Sequence, residues 1–233
     1  MDIVKYRISI LLILFISFSF CIVSCKKDYT DDSFPRNVDV YLRYLAEGNQ
    51  FSGMCKVTFA DTLAIGEPDT ANYAITINNK DLKQVIVGNG IKNYTFQTKT
   101  PFAHKFEIKM KEPNGDILSK STKMYSIDSI LVNPVVSMSK GMDIQYFGQE
   151  LSANESIILM LITSDDKSTS TTIQGPASSN TIHLKAEDLQ LLPKGMATLY
   201  LIRTFNDEEV NGKMHFVIRN EYFSQSKSIN LVP

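Results

Sequence analysis

The chain has 233 residues, with 24 Lys and Arg against 25 Asp and Glu, so its formal net charge is −1. This balance lacks the basic footprint that nucleic-acid-binding proteins carry. Hydrophobic residues make up 43% of the chain and are strongly patterned, which excludes an intrinsically disordered protein. The length allows two ordinary domains or one large all-β domain.

The N-terminus has the pattern of a targeting segment. Lys5 and Arg7 precede an apolar run at residues 8–24 that contains no charged side chain. A short basic region followed by such a run is typical of a cleaved signal peptide. An uncleaved membrane anchor is the alternative, although a spanning helix usually needs about 20 apolar residues.

The end of this run resembles the lipobox of bacterial lipoproteins. In the sequence Ile22-Val23-Ser24-Cys25, an aliphatic residue and a small residue lead to a cysteine. The resemblance implies that residues 1–24 are removed as a signal peptide and that Cys25 receives a diacylglyceryl group on sulfur, usually with a further acyl chain on its new amino group. Two or more acyl chains hold a protein firmly on a membrane.

These features predict a lipoprotein anchored to the outer membrane of a bacterial cell. Residues 26–32 are polar and lack periodicity, so we expect a flexible tether at residues 25–36. The charged residues 26–32 loosely resemble the stretch that follows the lipidated cysteine in lipoproteins of Bacteroidota, where acidic residues can direct export to the cell surface. An orientation towards the periplasm and one towards the cell surface both stay open.

Cysteine chemistry is restricted by this prediction. Cys21 would leave with the signal peptide and Cys25 would become a thioether, so that Cys55 would have no partner for a disulfide. Cys55 shares its alternation parity with Phe51 and Val57. We therefore predict a small buried side chain, since a catalytic thiolate needs an accessible, electropositive setting.

Alternation with a period of two runs through most of the chain, which predicts β-strands. Residues 104–111 alternate apolar and charged side chains, and the turn at 112–115 leads to a second strand at 116–123. Proline and polar residues near position 130 mark a junction between two strand-rich segments. The predicted strands are 38–45, 53–60, 72–77, 84–87, 94–98, 104–111, 116–123 and one within 126–134 that leads to the junction, then 142–147, 157–163, 171–174, 181–185, 197–204, 214–220 and 226–232.

The fold class predicted from this spacing is all-β, with two tandem immunoglobulin-like antiparallel β-sandwiches after a cleaved signal peptide. The first would occupy residues 37–130 and the second residues 131–233. One short helix is predicted at 186–192, before Pro193, and a polar hairpin loop at 206–212. The stretch LKAEDLQLLPKGMATLYLIR, residues 184–203, resembles a segment of small β-sandwich lipoproteins of Bacteroidota, which implies fold and origin but no activity.

The candidate chemical residues do not form an enzyme motif. His104 shares parity with core residues, whereas His183 and His215 point outward without a ligand-spaced carboxylate or thiol in sequence. The acidic clusters 165–166 and 207–209 are expected in solvated loops. No phosphate loop, nucleophile elbow or His-Glu helix motif is present in the sequence. We therefore predict a protein that is not an enzyme and has no metal or cofactor.

The predicted role is a non-catalytic accessory or scaffold module that binds another envelope protein. The alternative is a surface lipoprotein that captures polysaccharide, for which the outward-facing Tyr41 and Tyr200 are candidate sugar-stacking residues, although the chain has no tryptophan. Three sequons resemble the Asp-Ser/Thr-aliphatic motif of O-glycosylation in Bacteroidota, and they predict modification at Thr62, Thr70 and Ser129.

Overall fold

The computed structural model describes residues 36–59, 71–87 and 91–233, which belong to one compact unit spanning Asp32–Pro233. The predicted signal peptide at 1–24 and all of the predicted tether except Arg36 lie outside the described residues, as do Cys25, Thr62 and Thr70. The described chain forms seventeen strands and one short helix, α1 (Ala186–Gln190).

The first eight strands form the N-terminal sandwich. Strands β1, β2, β6 and β5 lie side by side in one sheet, and β4, β3, β7 and β8 form the facing sheet. The strands are β1 (Arg36–Leu45), β2 (Gln50–Phe59), β3 (Ala74–Ile77), β4 (Lys80–Asp81), β5 (Lys83–Val87), β6 (Ile91–Lys99), β7 (Lys105–Lys111) and β8 (Ile117–Lys123).

The remaining strands build the C-terminal sandwich. Strands β10, β17, β15, β12 and β13 form one sheet, and β9, β11 and β14 form a second sheet. The strands are β9 (Ser129–Leu131), β10 (Val135–Ser137), β11 (Met142–Phe147), β12 (Glu155–Thr163), β13 (Ser168–Gln174), β14 (Thr181–Leu184), β15 (Gly195–Asn211), β16 (Met214–Phe223) and β17 (Lys227–Val232). The predicted fold class, all-β with two immunoglobulin-like sandwiches in tandem, is confirmed.

Alternation creates the core, because every second side chain of a strand points between the sheets. In the N-terminal sandwich, Phe51 contacts Phe106 of the facing sheet with ring centroids 4.8 Å apart, and Phe96 with centroids 5.1 Å apart. Gly53 makes room for this packing, since a Cβ atom there would lie 2.4 Å from Phe96 Cε1. In the C-terminal sandwich, Leu189 of α1 is fully buried, as expected for a helix that closes the end of a sandwich.

One hairpin joins the two sandwiches, and we call residues 202–223 the clasp. Strand β15 is seventeen residues long: its first part pairs with β17 and β12, and its second part pairs with β16. Strand β16 then pairs in parallel with β1, from Arg36 opposite Met214 to Leu45 opposite Phe223. A hairpin from the C-terminal half therefore completes the N-terminal sandwich, and both sandwiches share a ten-stranded sheet.

The clasp differs from the prediction at residues 206–212. Residues 206–212 were expected as a hairpin loop, but β15 continues as a strand to Asn211. Its acidic residues face a cation, since Lys120 of β8 forms ion pairs with Asp207, at 3.4 Å, and with Glu209. The predicted domain boundary between residues 130 and 131 stays a prediction. The pairing of β16 with β1 joins strands from the two sides of this boundary.

The base of the clasp contains a buried ion pair. Arg203 Nε lies 2.8 Å from Glu155 Oε1, and both side chains are almost fully buried. Arg203 also donates to the carbonyl oxygens of Gln149, at 2.9 Å, and Glu150, at 3.1 Å. Ser152 donates two hydrogen bonds to Glu155 Oε2, one from its backbone N–H and one from its hydroxyl. Because these hydrogen bonds satisfy the pair, the desolvation cost of burying it is largely offset.

A buried amide pins the clasp to the facing sheet. Asn220, which has no solvent exposure, donates from Nδ2 to Thr122 Oγ1 at 2.8 Å and to the Lys123 carbonyl oxygen at 2.7 Å. Both partners belong to β8, so these bonds connect the two sheets of the N-terminal sandwich. A slip of β16 by one residue would turn Asn220 outward and break both bonds.

We predict that Asn220→Ala destabilises the protein by about 1–3 kcal/mol, because the buried Thr122 hydroxyl and the Lys123 carbonyl oxygen on β8 lose their hydrogen bonds. Urea unfolding followed by circular dichroism measures the loss. The matched control is Asn206→Ala, since Asn206 is exposed on the same hairpin and such a change usually alters stability by less than about 0.5 kcal/mol. Equal effects of the two substitutions would contradict a special role for Asn220.

Candidate functional site

An open groove crosses the outer face of the shared sheet in its N-terminal part and reaches β4 of the facing sheet. Its volume is about 880 Å³. Side chains on the non-core parity of β1, β2 and β6 supply part of its lining, Gly53 and Phe96 contribute from the core parity, and β4 contributes Lys80 and Asp81. The groove is lined by Tyr41, Ser52, Gly53, Met54, Lys80, Asp81, Lys83, Val85, Thr95, Phe96, Gln97 and Thr98.

A second hollow of about 440 Å³ shares two of these residues, Tyr41 and Met54. It extends onto the clasp and is lined further by Asp39, Val40, Val217, Arg219 and Glu221. The hollows therefore meet at Tyr41, and part of the surface exists only because β16 lies beside β1.

Three side chains hold each other at this junction. The parallel register of β1 and β16 puts Arg43 opposite Glu221, and Tyr41 lies two residues before Arg43 on the same face. The Tyr41 hydroxyl donates to Glu221 Oε2, and Arg43 Nε donates to Tyr41 Oη at 2.7 Å. Arg43 Nη2 also lies 3.3 Å from Glu221 Oε2. Mutual hydrogen bonds of this kind fix side chains in one arrangement before any ligand binds.

The environment of Tyr41 keeps its hydroxyl protonated. Burial, followed by the hydrogen bond to Glu221 and the negative charge of Glu221, raises the pKa of Tyr41 from 10.0 to about 12. At neutral pH the phenol therefore acts as a hydrogen-bond donor to the carboxylate. It does not act as a base.

An aromatic row continues from this cluster towards the C-terminal sandwich. The Arg43 guanidinium carbon lies 5.2 Å from the ring centre of Tyr41 and 5.0 Å from that of Phe223. Phe223 stacks on Tyr200, with ring centroids 6.1 Å apart. Tyr41 and Tyr200, the two tyrosines predicted to face outward, thus belong to one row on the same sheet face. The ring of Tyr200 already stacks on Phe223.

The histidines lie apart from the groove. His104 was expected at the edge of the core but is exposed, and its ring packs against Phe102 at 4.8 Å between centroids. His183 Nδ1 lies 2.7 Å from Asp143 Oδ1, and His215 Nε2 lies 3.8 Å from Glu208 Oε2. The pairing of β11 with β14 brings Asp143 to His183 from 40 residues away in sequence, whereas Glu208 reaches His215 across the β15–β16 hairpin, seven residues away.

The acidic clusters differ in their placement. Asp165 and Asp166 lie at a turn, as predicted, whereas residues 207–209 lie in β15. Within residues 36–59, 71–87 and 91–233, no group of three or more His, Cys, Asp and Glu side chains is arranged to hold a metal ion.

Cys55 is fully buried in β2, as predicted for a small core side chain. Burial, with the nearby Asp39 as a second cause, raises the pKa of its thiol to about 12. At neutral pH the sulfur is therefore a protonated thiol, which is a poor nucleophile.

The predicted modification sites are only partly covered by the structure. Ser129 is exposed at the start of the edge strand β9, opposite Phe147 of β11, and its glycosylation stays a prediction. No helix in the described part of the chain is long and apolar enough to cross a membrane.

No protein-family model and no curated protein sequence matches the chain. Among solved structures, it is similar to a two-domain fibronectin type-III segment of chicken tenascin, at 12% identity over 86% of this chain and 99% of that chain, with a TM-score of 0.30. It is similar to a tetra-tandem repeat from the extending region of a large adhesion protein, at 13% identity over 85% and 50% of the chains, with a TM-score of 0.27.

A third similar structure is the SGBP-B protein of the mixed-linkage glucan utilization locus of Bacteroides ovatus, in complex with a mixed-linkage heptasaccharide. The identity is 12% over 79% of this chain and 53% of that chain, with a TM-score of 0.23. This chain thus spans about half the length of the adhesion-repeat and SGBP-B structures.

We predict that the phenol of Tyr41 contributes to the pH dependence of stability in alkali. Its pKa of about 12 in the folded protein exceeds the value of about 10 for an unfolded tyrosine. The folded state therefore holds the proton more tightly, and this stabilisation is complete below pH 10 and lost as the pH rises to about 12. Urea unfolding across this range should show a steeper fall in the free energy of unfolding for the wild type than for Tyr41→Phe, and parallel curves would contradict the assignment.

Proposed function

We propose that the chain is a lipid-anchored, non-catalytic accessory module of the bacterial cell envelope that binds another envelope protein. The observation that carries this proposal is the pair of joined hollows on the outer sheet face, with Tyr41, Arg43 and Glu221 fixed at their junction. The lipid anchor is inferred from the sequence Ile22-Val23-Ser24-Cys25.

The composition of this surface supports a protein partner. Tyrosine, arginine and methionine are enriched at protein interfaces, and Tyr41, Arg43 and Met54 lie together here. A ligand that covers the cluster would meet side chains that are already ordered, so little conformational entropy would be lost on binding.

The same surface supports the absence of catalysis. The residues that line the two hollows include no histidine and no cysteine. The tyrosine at the junction is held protonated, and the carboxylate beside it is engaged by Tyr41 and Arg43. An acid or base would need a free proton position directed at a substrate.

Polysaccharide capture is a second candidate, and one observation favours it. The larger groove combines neutral hydrogen-bonding side chains with an exposed methionine and a tyrosine, which suits a ligand with many hydroxyl groups. The hydrogen-bonding residues are Ser52, Thr95, Gln97 and Thr98.

A photo-crosslinking amino acid at Met54 of the full chain in cells separates the two candidates. We expect one specific adduct with another envelope protein, absent when the same probe replaces Ile117, which is 65% exposed on the other sheet of the same sandwich. Loss of the adduct in Tyr41→Ala would confirm the surface. If no adduct forms and affinity electrophoresis instead shows retention by a polysaccharide that Tyr41→Ala abolishes, the protein-binding proposal is wrong and glycan capture takes its place.

The anchor has its own test. Cys25→Ala should move the protein from the membrane fraction to the soluble fraction and abolish labelling by radioactive palmitate, because the thiol at the lipobox position is lost. Cys21→Ala is the matched control, since Cys21 lies within the segment to be removed and should leave both readouts unchanged. Membrane retention of Cys25→Ala would indicate an uncleaved anchor.

A further inference from the structure

The edge strand β5 exposes an unusual amount of apolar surface. Val85, Ile86 and Val87 are 46%, 67% and 48% exposed, and Lys83 and Gln84 are exposed as well. In the described part of the chain, β5 pairs only with β6, so its outer backbone edge is open.

Exposed apolar side chains lie on both faces of this strand, beside Lys83 on one face and Gln84 on the other. Val85 lies opposite Asn93 and faces the groove side of the sheet, whereas Ile86 lies opposite Lys92 and faces the side on which Tyr94 is buried. An apolar run on both parities is typical of a strand inside a sheet. A partner packed on one face of the sheet would cover only half of these side chains. A further strand that pairs with β5 in the plane of the sheet would bring side chains next to both faces.

The other described edges are built differently. Strand β13 consists mainly of Ser and Thr, β8 carries Lys120 and Lys123, β14 exposes Thr181 and His183, and β4, β9 and β10 contain only two or three residues. Polar, lysine-bearing or short edges discourage pairing with another chain. The chain covers the edge of β1 with its own clasp, and β5 differs from the other described edges in its run of three exposed apolar side chains.

We propose that β5 pairs antiparallel with β5 of a second copy of this chain, so that the sheet continues across a twofold axis at Val85. In this register Val85 lies opposite Val85 of the second copy, Gln84 opposite Ile86, and Lys83 opposite Val87. A twofold interface requires a self-complementary surface, and this register puts no like charges opposite each other. The two Lys83 side chains would lie about 14 Å apart along the strands, beyond the Debye length of about 8 Å at physiological ionic strength.

Disulfide trapping in the full-length, membrane-bound protein tests the register. Directly opposed residues of antiparallel strands have Cα atoms about 4.5–5.5 Å apart, which suits a disulfide. Val85→Cys should therefore form a linked dimer on mild oxidation. Ile86→Cys is the matched control, because the two Ile86 positions would lie about 8 Å apart, beyond disulfide reach.

We expect about tenfold more linked dimer from Val85→Cys than from Ile86→Cys, and efficient linkage when Gln84→Cys and Ile86→Cys chains are co-expressed, since these positions oppose each other. The wild type, treated identically, shows whether its own cysteines react. Equal linkage of Val85→Cys and Ile86→Cys would indicate random collision, and no linkage of Val85→Cys would exclude this dimer.

A second measurement does not depend on oxidation. The detergent-solubilised wild type should have the mass of a dimer by light scattering, and Val85→Lys should be a monomer with an unchanged circular dichroism spectrum, since it sets two cations against each other at the axis. A monomeric wild type would overturn the proposal. Neither result affects the proposal that the chain binds another envelope protein. That proposal is tested separately, by photo-crosslinking from Met54 to a different protein.

Discussion

The parallel pairing of β16 with β1 is the interaction on which the rest of the structure depends. It places a strand of the C-terminal half at the edge of the N-terminal sandwich, and it joins two sandwiches into one ten-stranded sheet. It is secured at its base by the buried Arg203–Glu155 pair and at its centre by Asn220. Ordinary tandem domains are connected by a linker and move relative to each other, whereas a shared sheet resists such motion through its backbone hydrogen bonds.

The same pairing creates the candidate site. Tyr41 and Glu221 are 180 residues apart in sequence, and only the register of β1 and β16 brings them together. The aromatic row from Tyr41 through Phe223 to Tyr200 likewise crosses from β1 over the clasp to β15. A ligand bound at the junction would therefore contact elements of both halves of the chain, and its binding would be coupled to the integrity of the clasp.

Local pattern predicted much of the fold, because alternation and turns act over a few residues. The strand pair at 104–123, the short helix before Pro193 and the burial of Cys55 follow from such signals. Alternation also places Tyr41 and Arg43 outside the core. It could not predict that Asp207 and Glu209 would continue a strand, since their support comes from Lys120 on a distant strand. Nor could it reveal Glu221 as the partner of Tyr41, because strand order between distant segments leaves no local signal.

Native-state hydrogen exchange of the full chain tests most directly whether the clasp makes the two sandwiches one cooperative unit. We predict that amides in β1, β16 and β12 exchange with the same free energy of opening, because β1 cannot separate without disrupting the sheet that β15 and β16 share with β12. Exchange of β1 and β16 at a clearly lower free energy than β12 would contradict this. It would show that the N-terminal sandwich and the clasp open on their own while the C-terminal sandwich stays folded.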